Sequence, residues 1–322
     1  MIKLELNKAA IEFHLKEVTS IFDNTLKDKF IERKRENKKE KIQINSLFLD
    51  FLEKNKNKLI SSEPSELLKL HQAYLELKIS DSDSATIKDF FINTGYKKFN
   101  NKVFLEKLGA NTCVYCNRNY TLQIVNDRAR AQLDHWFPKD TFYILALSLY
   151  NLIPSCQSCN HIKLKGNDAI KKICKNQNLT EKEINEWWLN KALTNLNHPY
   201  LHTNNFKFSY DYKSLDDFNL KINVETGSKS DNTLKFNRIE EIYNAHSNLE
   251  LKDLVHLRSK YSNTFLNIVE KNFGGIMSKE EAYRIIFGVE EKEENFHKRP
   301  FSKFKTDIIE ELLNDHKSKF QS

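Results

Sequence analysis

Apolar residues recur at steps of three and four near the start of the chain: Ile11, Leu15, Val18, Phe22, Leu26 and Phe30. Such steps keep returning to one side of a helix with 3.6 residues per turn, so the pattern predicts a long amphipathic helix whose stripe is packing surface. Its continuation carries Arg33, Lys34, Arg35, Lys38, Lys39 and Lys41, interleaved with Glu32, Glu36 and Glu40. Acids and bases at i, i+4 spacing let a helix neutralise part of its own charge, which predicts a solvated helix face, with nucleic-acid contact as the sharper alternative.

Shorter helical patterns follow near residues 46–58 and 64–78, the second with Pro64 near its start, where a missing N–H costs nothing. The polar run 80–84 (Ser-Asp-Ser-Asp-Ser) reads as a linker. Thr180-Glu181-Lys182-Glu183 has the form of a capping box opening a helix that contains Trp187 and Trp188, both expected in the core. Strict alternation over 206–210 and 218–224 predicts a small hairpin, and helical periodicity resumes over 231–273 and from 278 onward. The expectation is a mainly α protein with a small α+β core, in three regions: 1–100 helical, 101–200 central, and 201–322 hairpin plus helices.

Composition agrees with that picture. Of the 322 residues 39% are hydrophobic and 30% charged, while Gly and Pro number only 7 and 5, a balance that favours helices over sandwiches or disorder. Lys plus Arg exceed Asp plus Glu by 51 − 44 = 7, which suits a polyanionic partner without establishing one. The opening Met1-Ile2-Lys3-Leu4-Glu5 has no apolar signal region, and the longest apolar run, 142–147, is far below the roughly 18 residues of a membrane span. A cytoplasmic protein without a membrane partner is expected.

Four of the five cysteines form two C-x-x-C pairs, Cys113/Cys116 and Cys156/Cys159, while Cys174 stands alone. Thiols that stay reduced at this spacing favour one tetrahedral Zn²⁺ over disulfides, and no βαβ context suggests a redox pair. Between the pairs lie Asp134-His135-Trp136-Phe137-Pro138-Lys139 and Asn151-Leu152-Ile153-Pro154; Asn160, His161 and Lys163 follow the second. A carboxylate beside an imidazole, a later Asn and then Cys-Asn-His-x-Lys make an ordered set of ligand and proton-transfer groups.

That order, over about 113–166, resembles the zinc-bearing HNH endonucleases. The stretch after it, His198-Pro199-Tyr200 and the strand at 206–210, resembles the HNH subunit of Septu-type antiphage defence systems. The resemblance implies a ββα-metal finger at about 133–165, pinned by the four-cysteine zinc site and flanked by helical arms. It implies His135 as general base, Asp134 and Asn160 as ligands of one catalytic divalent metal, and Asn151 as the group orienting the His135 loop. Oxygen ligands suit Mg²⁺ or Mn²⁺ and sulfur suits Zn²⁺, so ligand softness can keep the two metals apart. The implied substrate is DNA, with RNA left open, and the implied partner is an SMC-like or AAA-type ATPase.

The chain departs from the family at the last ligand position, often His, where it has Asn160 followed by His161; His161 stays an alternative ligand. Lys163 and Lys165 are candidate phosphate contacts, equally well read as solvated lysines. His198 and His202 have no matching motif, and Cys174 is expected to be structural. The rival to a nuclease is a non-catalytic zinc module that binds nucleic acid or protein; such a module has no need of Asp134, His135 and Asn160 beside its cysteines.

Overall fold

Asn7 opens helix α1 (Lys8–Asp28) by accepting a hydrogen bond from the Ala10 N–H, and Lys29 closes it in the left-handed region at φ 59°. In the computed structural model, Ala10, His14, Val18 and Phe22 form its buried seam, with Ile11, Leu15 and Leu26 along the edge. The structure describes residues 1–35, 38–125, 128–129, 131–164, 167–214, 217–260, 268, 271–272 and 276–319.

The expected continuation of α1 is not helical. Strands β1 (Phe30–Arg35) and β2 (Lys38–Gln43) form an antiparallel hairpin; Glu36 lies outside the described residues. Its register sets Ile31 opposite Ile42, Glu32 opposite Lys41 and Arg33 opposite Glu40. The charge alternation that suits a helix at i, i+4 also gives a hairpin two cross-strand pairs of opposite sign, although Lys34 opposite Lys39 and Arg35 opposite Lys38 are like-charged. The left-handed turn at Lys29 and the buried Ile31 decide between the two.

Helices α2 (Ser46–Ser61) and α3 (Pro64–Glu76) fall where expected, Pro64 in the first turn. The run 80–84 is a helix start rather than a linker. Ser80 accepts from the Asp83 N–H, and Asp81 and Asp83 sit at the positive end of α4 (Asp81–Asp89). A π turn (Phe90–Gly95) and the short α5 (Tyr96–Lys98) lead to α6 (Asn101–Leu108). Gly95 is a close approach: a Cβ there would lie 2.9 Å from Leu147 Cδ1.

After the small pair β3 (Gln123–Val125) and β4 (Arg128–Ala129), β5 (Ala131–His135) pairs antiparallel with β6 (Leu152–Cys156). The register runs from Ala131 opposite Cys156 to His135 opposite Leu152. β6 passes directly into α7 (Gln157–Leu164), followed by α8 (Asn167–Ile173), α9 (Glu181–Asn190) and α10 (Ala192–Asn195). The capping box at Thr180 and Glu183 is present, and Trp187 and Trp188 are buried.

The expected hairpin is β7 (Lys207–Ser214) with β8 (Asp217–Asn223). The helical stretch 231–273 is divided into α11 (Lys229–Phe236), α12 (Ile239–Asn244) and α13 (Ser247–Lys260), with 261–267 outside the described residues. Beyond it, a helix Lys279–Phe287 stops at Gly288 (φ 71°), and Ser302–Lys319 forms the last described helix. The protein is mainly helical with small two-stranded sheets. Its larger core joins the N-terminal helices to the β5–β6 unit; a second gathers Phe208, Leu220, Tyr243, Leu251, Phe304 and Ile308. No helix among the described residues is long and apolar enough to cross a membrane.

Candidate functional site

The β5–β6 ladder sets Cys156 at one end and His135 at the other. At the cysteine end, the loop carrying Cys113 and Cys116 folds back on itself: Asn117 N–H donates to Cys113 O at 2.7 Å and Cys113 N–H to Asn119 O at 3.0 Å. This turn brings Cys113 and Cys116 to Cys156 and Cys159, whose sulfurs are supplied by the end of β6 and the first turn of α7. All four sulfurs are buried and lie within 4.8 Å of one another. Zn–S bonds of about 2.3 Å imply sulfur–sulfur edges of about 3.8 Å in a tetrahedron, and Cys116 and Cys156 stand 4.0 Å apart.

The donor set fits a soft dication. Burial pushes the Cys113 thiol well above its usual range, so four adjacent thiolates need a cation to offset desolvation and mutual repulsion. Arg118 N–H approaches Cys116 Sγ at 3.4 Å and Asn119 Nδ2 approaches Cys156 Sγ at 3.3 Å, contacts that stabilise charge on sulfur. The C-terminal segment braces the same turn. Asn117, at φ 48°, donates from Nδ2 to Phe296 O at 2.8 Å, and Tyr243 donates its hydroxyl to Cys116 O at 2.6 Å.

At the other end, a cavity of about 610 Å³ is walled by Gln132, Asp134, His135 and Asn160, together with Tyr96, Lys139 and Trp188. Three predicted site residues therefore meet on one cavity. Gln132 and Asp134, two apart on β5, share a face of the strand. Asn160, projecting from α7, donates from Nδ2 to Gln132 Oε1 at 2.7 Å, which places it over that face. His161 next to it is exposed and does not line this cavity.

Asp134 and His135 are 5% and 8% exposed, so both lie inside the fold. Tyr115 donates its hydroxyl to Asp134 Oδ2 at 2.6 Å. Burial first, then the Asp134 charge, pushes the Tyr115 phenol well above its usual range, so it remains a donor. His135 Nε2 lies 3.1 Å from Ala146 O. A carbonyl can only accept, so His135 Nε2 carries the proton of this bond.

Ala146 lies in the loop between β5 and β6, and Asn151 holds that loop. The fully buried Asn151 accepts from Phe137 N–H at 2.6 Å on Oδ1 and donates from Nδ2 to Leu145 O at 2.9 Å. Its effect on His135 is indirect: it fixes the turn whose next carbonyl receives the imidazole. His198 is a brace of the same loop, with Nε2 2.7 Å from Tyr150 O and its ring 5.0 Å from that of Trp136. His202 accepts on Nδ1 from His198 N–H. Cys174 is exposed and outside the cluster. Lys163 sits in α7 with its side chain outside the described ones, and Lys165 lies outside the described residues.

Sequence reasoning missed Tyr115, Gln132 and Ala146. Gln132 carried a usable signal, being two residues before Asp134 on one predicted strand; Tyr115 and Ala146 depend on folding back across 19 and 11 residues.

No protein-family model matches the chain, and no solved structure matches it significantly. A curated protein, the Septu protein PtuB of Bacillus thuringiensis, is similar: 34% identical over 59 residues, which are 18% of this chain and 21% of that protein. The match thus spans about a fifth of either chain.

Proposed function

We propose that the protein is a metal-dependent endonuclease of the HNH type, with β5, β6 and α7 as its ββα-metal finger. The observation that carries this reading is the convergence of Asp134, His135 and Asn160 on one cavity, with His135 Nε2 bonded to Ala146 O. In it, 101–200 is the nuclease core, carried between the helical region 1–100 and the hairpin-and-helix region 201–322.

His135 accepts a proton from the attacking water on Nδ1, and the Ala146 carbonyl stabilises the resulting imidazolium through Nε2–H. Asp134 and the Asn160 amide oxygen would hold the divalent cation. The set fits Mg²⁺ or Mn²⁺, which often bind through one or two protein oxygens and keep their remaining positions for water and phosphate. When bound, the cation supplies charge stabilisation on the phosphate and the leaving oxygen. Asn160 is favoured over His161 because it lines the cavity while His161 is exposed. Asn151 positions the loop, Lys163 and Lys165 are the candidate phosphate contacts, and Zn²⁺ in the four cysteines would hold the finger together.

The substrate class is DNA, with RNA the comparison in the assay. The partial similarity to a Septu protein supports a place in antiphage defence beside an SMC-like or AAA-type ATPase, in a cytoplasm that keeps the thiols reduced. The test is cleavage of DNA and RNA by the full chain in Mg²⁺ or Mn²⁺, with and without the ATPase. His135→Ala is expected to abolish cleavage with zinc still near one per chain. Equal cleavage by that variant shows that His135 is not the base, whereas no cleavage by the wild type under any of these conditions favours a non-catalytic zinc module.

A further inference from the structure

We propose that Tyr115 is a positioning residue that couples occupancy of the four-cysteine site to the aim of the Asp134 carboxylate. The proposal rests on the reading of Asp134 as a cation ligand.

Tyr115 lies between two of the four sulfurs, so its backbone is set by the cysteine turn, while its hydroxyl ends on the carboxylate in the cavity. The turn is held by the sulfurs and by backbone bonds. Ile2 N–H donates to Val114 O at 2.9 Å, and Asn117 N–H to Cys113 O at 2.7 Å. Packing alone would be served by phenylalanine in this 2% exposed position. The hydroxyl adds a buried polar atom that must be paired, and Asp134 Oδ2 pairs it at 2.6 Å.

An aromatic ring is a stiff spacer between those two points. A displacement of the cysteine turn by about 1 Å reaches the hydroxyl little diminished, and a hydrogen bond stretched that far is essentially lost. Zinc in the sulfur site therefore fixes one oxygen of Asp134, and loss of zinc releases it. Coupling between two binding sites is reciprocal, so a hard cation at Asp134 must in turn oppose zinc loss.

That reciprocity gives a test needing neither DNA nor cleavage. Zinc release from the full chain to a chromogenic chelator is followed across a Mg²⁺ titration, for the wild type, Tyr115→Phe and Asp134→Asn. Mg²⁺ is expected to slow release from the wild type and to have no effect on Asp134→Asn. In Tyr115→Phe the slowing by Mg²⁺ is expected to be lost, because the link that couples the two sites is cut. Its zinc content stays near one per chain.

A folded, zinc-loaded Tyr115→Phe in which Mg²⁺ slows zinc release as in the wild type overturns the proposal alone. No Mg²⁺ effect in the wild type overturns it together with the reading of Asp134 as a cation ligand. If the phenylalanine variant fails to fold, the wild type reconstituted with the larger Cd²⁺ replaces it. A swollen cysteine turn is then expected to shift the Mg²⁺ midpoint, and an unchanged midpoint overturns the proposal.

Discussion

Asn151→Ala should separate the loop that receives His135 from the strands that carry it. The side chain is fully buried and pairs two backbone groups, Phe137 N–H and Leu145 C=O. Truncation leaves both without that partner, at about 1–3 kcal/mol for each group, or about 2–6 kcal/mol together. Unfolding entropy near 2.1 cal/mol/K per residue gives a chain of this length roughly 0.7 kcal/mol per degree at the midpoint. The expected fall in melting temperature is therefore about 3–9 °C if the chain melts as one unit. Calorimetry checks that figure, and hydrogen exchange locates it: the amides of Phe142, Leu145 and Ala146, which close the turns of this loop, should exchange faster than those of α2. With Ala146 O no longer fixed, cleavage should fall through kcat. A melting temperature within about 1 °C of wild type, with unchanged exchange in the loop, would refute the account of Asn151 as its fastener.

The remaining expectations are shorter. Cys159→Ser should lose zinc and melt earlier, and chelation should do the same to the wild type; zinc content by atomic absorption decides it, and a zinc-free chain with wild-type stability would contradict the role given to the cluster. Gln132→Leu removes the partner of the Asn160 amide, so Mg²⁺ activation should shift to higher concentration with little change in melting; an unshifted midpoint would show that Asn160 needs no such hold. His14 and His71 are buried and, through desolvation first, held down to about 4 from an ordinary 6.5. The unfolded chain takes these protons near 6.5 and the folded chain only near 4, so their contribution is present above 6.5 and lost progressively as pH falls through that window. At about 2 kcal/mol for each histidine over that interval, melting temperature should drop between pH 7 and pH 5, and a flat profile there would rule out their burial in the neutral form.

Much of the site was legible because its residues are spaced by local geometry. Each C-x-x-C is one turn, Asp134-His135 is the end of one strand, and Asn160 lies in the first turns of one helix; spacing within such elements is fixed by backbone dimensions. The loop 136–151 was legible only as a role for Asn151, since the carbonyl receiving His135 carries no side-chain signature. Tyr115 looks like filler between two ligands, because nothing local announces a hydroxyl's partner 19 residues away. The pattern misleads where two structures satisfy it: alternating charge after Phe30 serves a hairpin as well as a helix, and Ser-Asp-Ser-Asp-Ser serves a helix start as well as a linker. In the first place the left-handed Lys29 and the buried Ile31 decide, and in the second the Ser80 cap.

The brevity of the β5–β6 ladder has one further consequence. Five pairs carry the whole alignment, and a slip by one would turn every side chain of a strand to the opposite face. Cys156 is both the last rung and a member of the sulfur cluster, so the cluster acts as an index mark for the frame in which positions 134 and 135 are presented. Tolerance to length change should follow from this. An added residue in the exposed part of the loop can bulge outward, whereas one added between Ile153 and Cys156 puts the strand out of phase with no place to absorb the error.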